Sequence, residues 1–92
     1  MTSKRTRAFR ELYDALPIAV QRQANKAYIL FKDNPNHAGL NFKPVGGNPV
    51  WYSVRIGIGY RAMCVREDDD TYIWFWIGSH ADYDKLLKQR SS

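Results

Sequence analysis

At 92 residues, with 45% apolar residues and a net charge of +5, the chain has room for one domain with one modest core. That composition excludes a disordered or low-complexity protein, and no apolar run approaches the roughly 18 residues of a membrane span. The charge is uneven: residues 1–66 carry eleven Lys or Arg against three acids, residues 67–92 three against six. A surplus of that kind favours a polyanionic partner, either nucleic acid or an acidic protein.

The basic start, Met1–Arg7, is followed by no h-region or cleavage site. The lone Cys64 has no partner for an internal disulfide, which agrees with a reducing, cytoplasmic setting. The first predicted helix is Ala8–Leu16, with Phe9, Leu12, Tyr13 and Leu16 at the spacing of one helix face. Pro17 breaks that run and suits the first turn of a second helix. The second helix reads from Ile18 to Lys32, with Val20, Ala24, Ala27, Tyr28 and Phe31 on one face, and Asp33-Asn34-Pro35-Asn36 stops it.

A short strand is predicted within Leu40–Val45, ahead of the glycine-rich loop Gly46–Pro49. Three clearer strands follow, Val50–Ile56, Tyr60–Arg66 and Thr71–Ile77, all rich in β-branched and aromatic residues. The turns between them, Gly57-Ile58-Gly59 and Glu67–Asp70, are too short for anything but antiparallel neighbours. A terminal helix over Asp82–Arg90 completes an α+β reading of one domain over 1–92: two N-terminal helices packed on an antiparallel sheet of about four strands, then a short C-terminal helix. Alternation puts Tyr72, Trp74 and Trp76 on one face of the last strand, and Ile73, Phe75 and Ile77 on the other.

Candidate chemistry gathers in the last third. Arg55 alternates with Val54 and Ile56, so it faces away from them, together with Trp51 and Ser53. Arg61 opens the next strand, and a hairpin brings both guanidinium groups to one end of the sheet. Two like charges so close cost stability unless an anion lies between them; either arginine alone is better explained by a carboxylate such as Asp82 or Asp84, and the two together by a bound phosphate. His80 ends an apolar strand after Gly78-Ser79, and Ser79 or Asp82 can cap the helix that follows. Histidine titrates near neutrality and suits proton transfer to a leaving alkoxide, though an isolated histidine is more often structural. Tyr83 either donates a hydrogen bond or packs. Lys43 either points an ammonium at a phosphate or is simply solvated, and His37 reads as structural. Cys64, His37 and His80 have no metal-ligand spacing, and Gly57-Ile58-Gly59 is no dinucleotide fingerprint, so no metal or cofactor is expected.

The order of elements, together with Gly39-Leu40-Asn41-Phe42-Lys43, Tyr52-Ser53-Val54-Arg55-Ile56, Tyr60-Arg61 and Ile77-Gly78-Ser79-His80-Ala81-Asp82-Tyr83, resembles the RelE/ParE superfamily of bacterial toxins over nearly the whole chain. The resemblance implies the toxin of a type II toxin–antitoxin pair, held by a cognate antitoxin. RelE-like members cut mRNA on the ribosome without metal, through attack of the ribose 2′-OH on the adjacent phosphate. ParE-like members instead poison DNA gyrase and need no nuclease residues. On the nuclease pattern, Arg61 matches the Tyr-Arg strand arginine that stabilises the transition-state phosphate, and Arg55 falls where basic strand residues occur. His80 takes the strand-end position that is arginine in some nucleases and histidine in others. Ser53 stands where some nucleases carry lysine. The expectation is therefore a ribosome-dependent endoribonuclease with Arg61, His80 and Arg55 catalytic and Lys43 and Tyr83 on the substrate; the alternative is a gyrase inhibitor.

Overall fold

The computed structural model describes residues 2–46 and 50–91, with side chains described as far as residue 89. The elements run β1 (Thr2–Arg5), α1 (Arg7–Asp14), α2 (Ile18–Asp33), a 3₁₀ turn (Ala38–Leu40), β2 (Lys43–Pro44), β3 (Trp51–Ile56), β4 (Tyr60–Asp68), β5 (Thr71–Ser79) and α3 (His80–Ser91). The strands form one sheet in the order β1-β5-β4-β3-β2. The α+β class and the β3-β4-β5 meander follow the sequence reading. The strand count and the purely antiparallel sheet do not: a fifth strand, β1, pairs parallel with β5, Thr2 beside Thr71 through Arg5 beside Trp74. Thr-Ser-Lys-Arg has no apolar alternation to signal a strand. It is held by backbone pairing, and its charged residues suit an exposed sheet edge.

Local chemistry sets the helix ends. Thr6 accepts from the Phe9 backbone N–H through Oγ1 at 3.1 Å and so caps α1. Pro17 takes the cap position of α2, one residue earlier than the first turn. The Gln21 side-chain amide donates to the Tyr13 and Leu16 carbonyls at 2.9 and 3.3 Å, which adds to the Leu16 N–H bond to the Tyr13 carbonyl and fixes the joint between the helices. Of the predicted strand Leu40–Val45 only Lys43–Pro44 forms a strand, Val45 adding a bond from its N–H to the Trp51 carbonyl at 2.8 Å, and Leu40 belongs to the 3₁₀ turn. The predicted loop Gly46–Pro49 falls largely on residues 47–49, outside the described residues.

One face of the sheet carries α1 and α2. Phe31 lies at its centre, 1% exposed, with T-shaped contacts to Phe42, Tyr72 and Trp74 at 5.2, 5.1 and 5.1 Å. Burying such a side chain contributes about 1.5–3 kcal/mol, and the edge-to-face geometry suits the aromatic quadrupoles. Phe9, Ala24, Val54, Ile56, Ala62 and Ile77 extend the same core.

The opposite face is covered in part by α3, whose Tyr83 clusters with Met63 and Val45, with Trp51, Phe75 and Trp76 packed around them. Here the simple alternation of β5 fails. Met63 pairs with Trp76 but Cys64 with Trp74, so Phe75 is an extra residue on β5. The bulge resets the facing: Tyr72, Trp74 and Ile77 meet the helices, while Phe75 and Trp76 join the second core. Trp76 is thus on the face opposite to the one that period two assigns it.

Candidate functional site

The sheet face that carries α3 also gathers the basic residues, and strand register is the reason. Arg55 and Arg61 are Cα partners across β3 and β4, so both project from the same side. Lys43 is the partner of Ser53, two residues before Arg55 on the same side of β3. Three cations from three strands therefore share one surface around a buried serine, which is 2% exposed. Arg55 Nε donates to the Gly57 carbonyl at 3.2 Å, and Arg61 donates to its neighbour's carbonyl, that of Tyr60, at 3.1 Å. Neither contact involves Asp82 or Asp84, so the guanidinium groups are steered by backbone oxygen rather than by carboxylate. Gly57 sits at φ +57°, and a Cβ there would meet the Gln23 side chain at 2.7 Å, so the turn that brings the arginines together needs glycine.

Next to Arg61 on β5 the register puts Gly78. A Cβ at Gly78 would lie 2.7 Å from the Trp76 indole. The ring thus lies over bare backbone and packs on Tyr83, 6.2 Å between centroids.

β5 turns directly into α3 at His80, two residues earlier than the predicted helix start. The His80 N–H donates to the Gly59 carbonyl at 2.7 Å, which ties the helix start to the β3–β4 turn. Ser79 Oγ accepts from the Asp82 N–H at 3.1 Å and caps the helix. His80 Nδ1 stands 3.5 Å from Asp84 Oδ2, one helical turn on, and its ring stacks on Tyr83 at 6.3 Å. Asp84 faces the imidazole, and the i, i+4 spacing was the sequence signal for it. The half-exposed His80 ring therefore sits at the positive end of a helix, beside the turn that joins the two arginine strands. Tyr83 is 9% exposed, and its hydroxyl donates to Ser53 Oγ at 3.3 Å inside the protein.

The structure thus brings Arg55, Arg61 and Lys43 onto one face and sets His80 at its rim, with Tyr83 beneath. Ser53 is the residue that sequence reasoning undervalued: alternation gives its face, but only the packing of α3 shows that it is buried. His37 remains in its loop, its N–H donating to the Asn34 carbonyl. Cys64 is fully buried, and burial pushes its thiol up to about 12, so it has no nucleophilic character. At the far end of β4, Arg66 is held more strongly protonated than usual, first by a hydrogen bond with Tyr52. Asp68 is held below the usual carboxylate range, first by the Asp70 backbone N–H.

The ParE-like toxin domain family model matches residues 19–85. The chain belongs to this family, and with it to the RelE/ParE superfamily of toxins from toxin–antitoxin systems. Solved structures share its fold at 16% identity. The RelB-RelE antitoxin–toxin complex from Methanococcus jannaschii has a TM-score of 0.71 and covers 90% of this chain and 96% of that one. The isolated Escherichia coli RelE toxin has a TM-score of 0.67 and covers 96% of both chains. A copper-bound mutant toxin from Helicobacter pylori has a TM-score of 0.63 and covers 89% and 97%. No curated protein matches the sequence. Among the described residues no helix is long and apolar enough to cross a membrane.

Proposed function

We propose that this toxin is a ribosome-dependent mRNA endonuclease that works without a metal ion. The observation that carries the reading is the Arg55–Arg61 pair, like charges in direct register, with His80 at the adjoining helix start. Directly opposed like charges are destabilising, and a phosphate between them removes that cost. In the reaction the ribose 2′-hydroxyl gives its proton to solvent water as its oxygen attacks the adjacent phosphorus, and the bond from phosphorus to the 5′-oxygen breaks, leaving a 2′,3′-cyclic phosphate. Arg61 and Arg55 neutralise the charge that grows on the phosphorane, a contribution on the order of 3 kcal/mol per donor. His80 gives its proton to the departing 5′-oxygen, with Asp84 holding the other ring nitrogen. Lys43 contacts the phosphate or the base side. Tyr83, beneath this surface, supports it through Ser53.

An antitoxin partner belongs to the same reading, since the structural relative from Methanococcus jannaschii is a complex of antitoxin and toxin. The partner is an acidic chain that meets the basic two thirds of this one, in a cytoplasmic setting. A second reading, inhibition of DNA gyrase without nuclease activity, is favoured by the ParE-like family match.

Induced expression, with mapping of mRNA ends beside a gyrase supercoiling assay, separates the two. Breaks confined to translated transcripts, lost with Arg61→Ala while the fold persists, support the nuclease. Intact mRNA with accumulating cleaved-DNA gyrase complexes overturns it.

A further inference from the structure

The helices α1 and α2 leave a cavity of about 280 Å³ between themselves and the sheet, on the face opposite the basic surface. Phe9, Ala24, Phe31, Val54, Ile56 and Ile77 give it an apolar body, while Ser3, Arg5 and Trp74 form a polar wall. Two features of that wall are unusual. Ser3 Oγ and Trp74 Nε1 are buried without a hydrogen-bond partner among the described residues, and Trp74 is 5% exposed. Buried polar groups are normally paired because an unpaired one keeps the full cost of losing water. Arg5 is the register partner of Trp74, and Ser3 lies two residues before it on the same side of β1. A hydroxyl, an indole N–H and a guanidinium thus converge beside an apolar chamber.

We infer that this cavity binds a small amphiphilic carboxylate, its head on Ser3, Trp74 and Arg5 and its apolar body among the core side chains between the helices. The donors ask for an acceptor, and Arg5 asks for a negative one. An apolar cavity of roughly 150 Å³ holds one benzene molecule, so this one has space for a larger hydrocarbon body. Water alone finds 2–4 polar partners only at the wall, as its hydrogen bonding requires, and leaves the apolar part empty. Tyr13 and Asn25, joined by a 2.7 Å hydrogen bond, link the two helices over the same cavity.

Octanoate is the probe, titrated into the full ¹⁵N-labelled chain while the three indole N–H signals are followed. The Trp74 signal shifts saturably on binding, whereas Trp51 and Trp76, on the other face of the sheet, stay put. Arg5→Gln weakens binding about tenfold, the effect of one charged hydrogen bond. Ala24→Leu fills the cavity and abolishes the shift; Ala27→Leu, on the same lining, serves should that variant not fold. Absence of a saturable Trp74 shift overturns the inference. So does an equal response to octylamine, or unchanged binding in the cavity-filled variant.

Discussion

The Tyr83 hydroxyl donates to Ser53 Oγ at 3.3 Å across 30 residues of sequence, and this contact pins α3 to β3 directly beneath the basic surface. The two groups satisfy each other where water does not reach. The contact also fixes the helix whose first residue is His80.

Tyr83→Phe removes the donor and keeps the ring against Trp76. It should cost about 1 kcal/mol in a denaturation experiment, the usual net value of such a bond. Ser53→Ala should cost a similar amount, and the double variant should cost less than the sum, because the two residues share one interaction. Additive losses would mean that the contact carries no energy of its own.

Arg55 and Arg61 supply a test that runs in opposite directions. Arg55→Gln relieves a like-charge pair and should raise stability by about 0.2–1 kcal/mol, more at low salt than at high. The same change should slow mRNA cleavage. A variant that gains stability and loses activity marks a pair kept for phosphate. A loss of stability would instead mean that Arg55 is structural.

Cys64 gives a pH prediction. Burial raises its folded value to about 12 from an ordinary value of 9.0. The contribution to stability is therefore complete below pH 9 and is lost as pH rises towards 12, because the unfolded chain ionises first. The slope approaches about 1.4 kcal/mol per pH unit in that window. Cys64→Ala should flatten the alkaline limb of the stability profile relative to the parent, and the native thiol should resist alkylation at about pH 8 until the chain unfolds. Rapid alkylation of the folded protein would contradict this burial.

Much of this arrangement was legible because short turns force antiparallel neighbours and alternation then assigns faces; Arg55, Arg61 and Ser53 follow from that alone. β1 was hidden because Thr2–Arg5 has no apolar pattern and its parallel partner lies about 70 residues away. The bulge at Phe75 was hidden because one extra residue leaves composition unchanged while reversing every side chain beyond it. The same limit applies to the site. Strand position put His80 at the rim, but the burial of Tyr83 and the 3.5 Å approach of Asp84 depend on how α3 lies on the sheet.

His80 carries the most exposed part of the proposed mechanism. Its backbone is fixed by the Gly59 carbonyl, and its Nδ1 faces Asp84, which leaves Nε2 to act on a leaving group beside the arginines. His80→Gln retains a hydrogen-bonding side chain but transfers no proton. It should therefore reduce mRNA cleavage by about 10²-fold or more, with little change in ribosome association. Asp84→Asn keeps the imidazole and weakens only its orientation, so it should give a smaller loss on the same assay. The two variants together separate chemistry from positioning. Cleavage by His80→Gln at the parent rate would make His80 a structural residue, and the acid would then lie elsewhere on the surface formed by Lys43, Arg55 and Arg61.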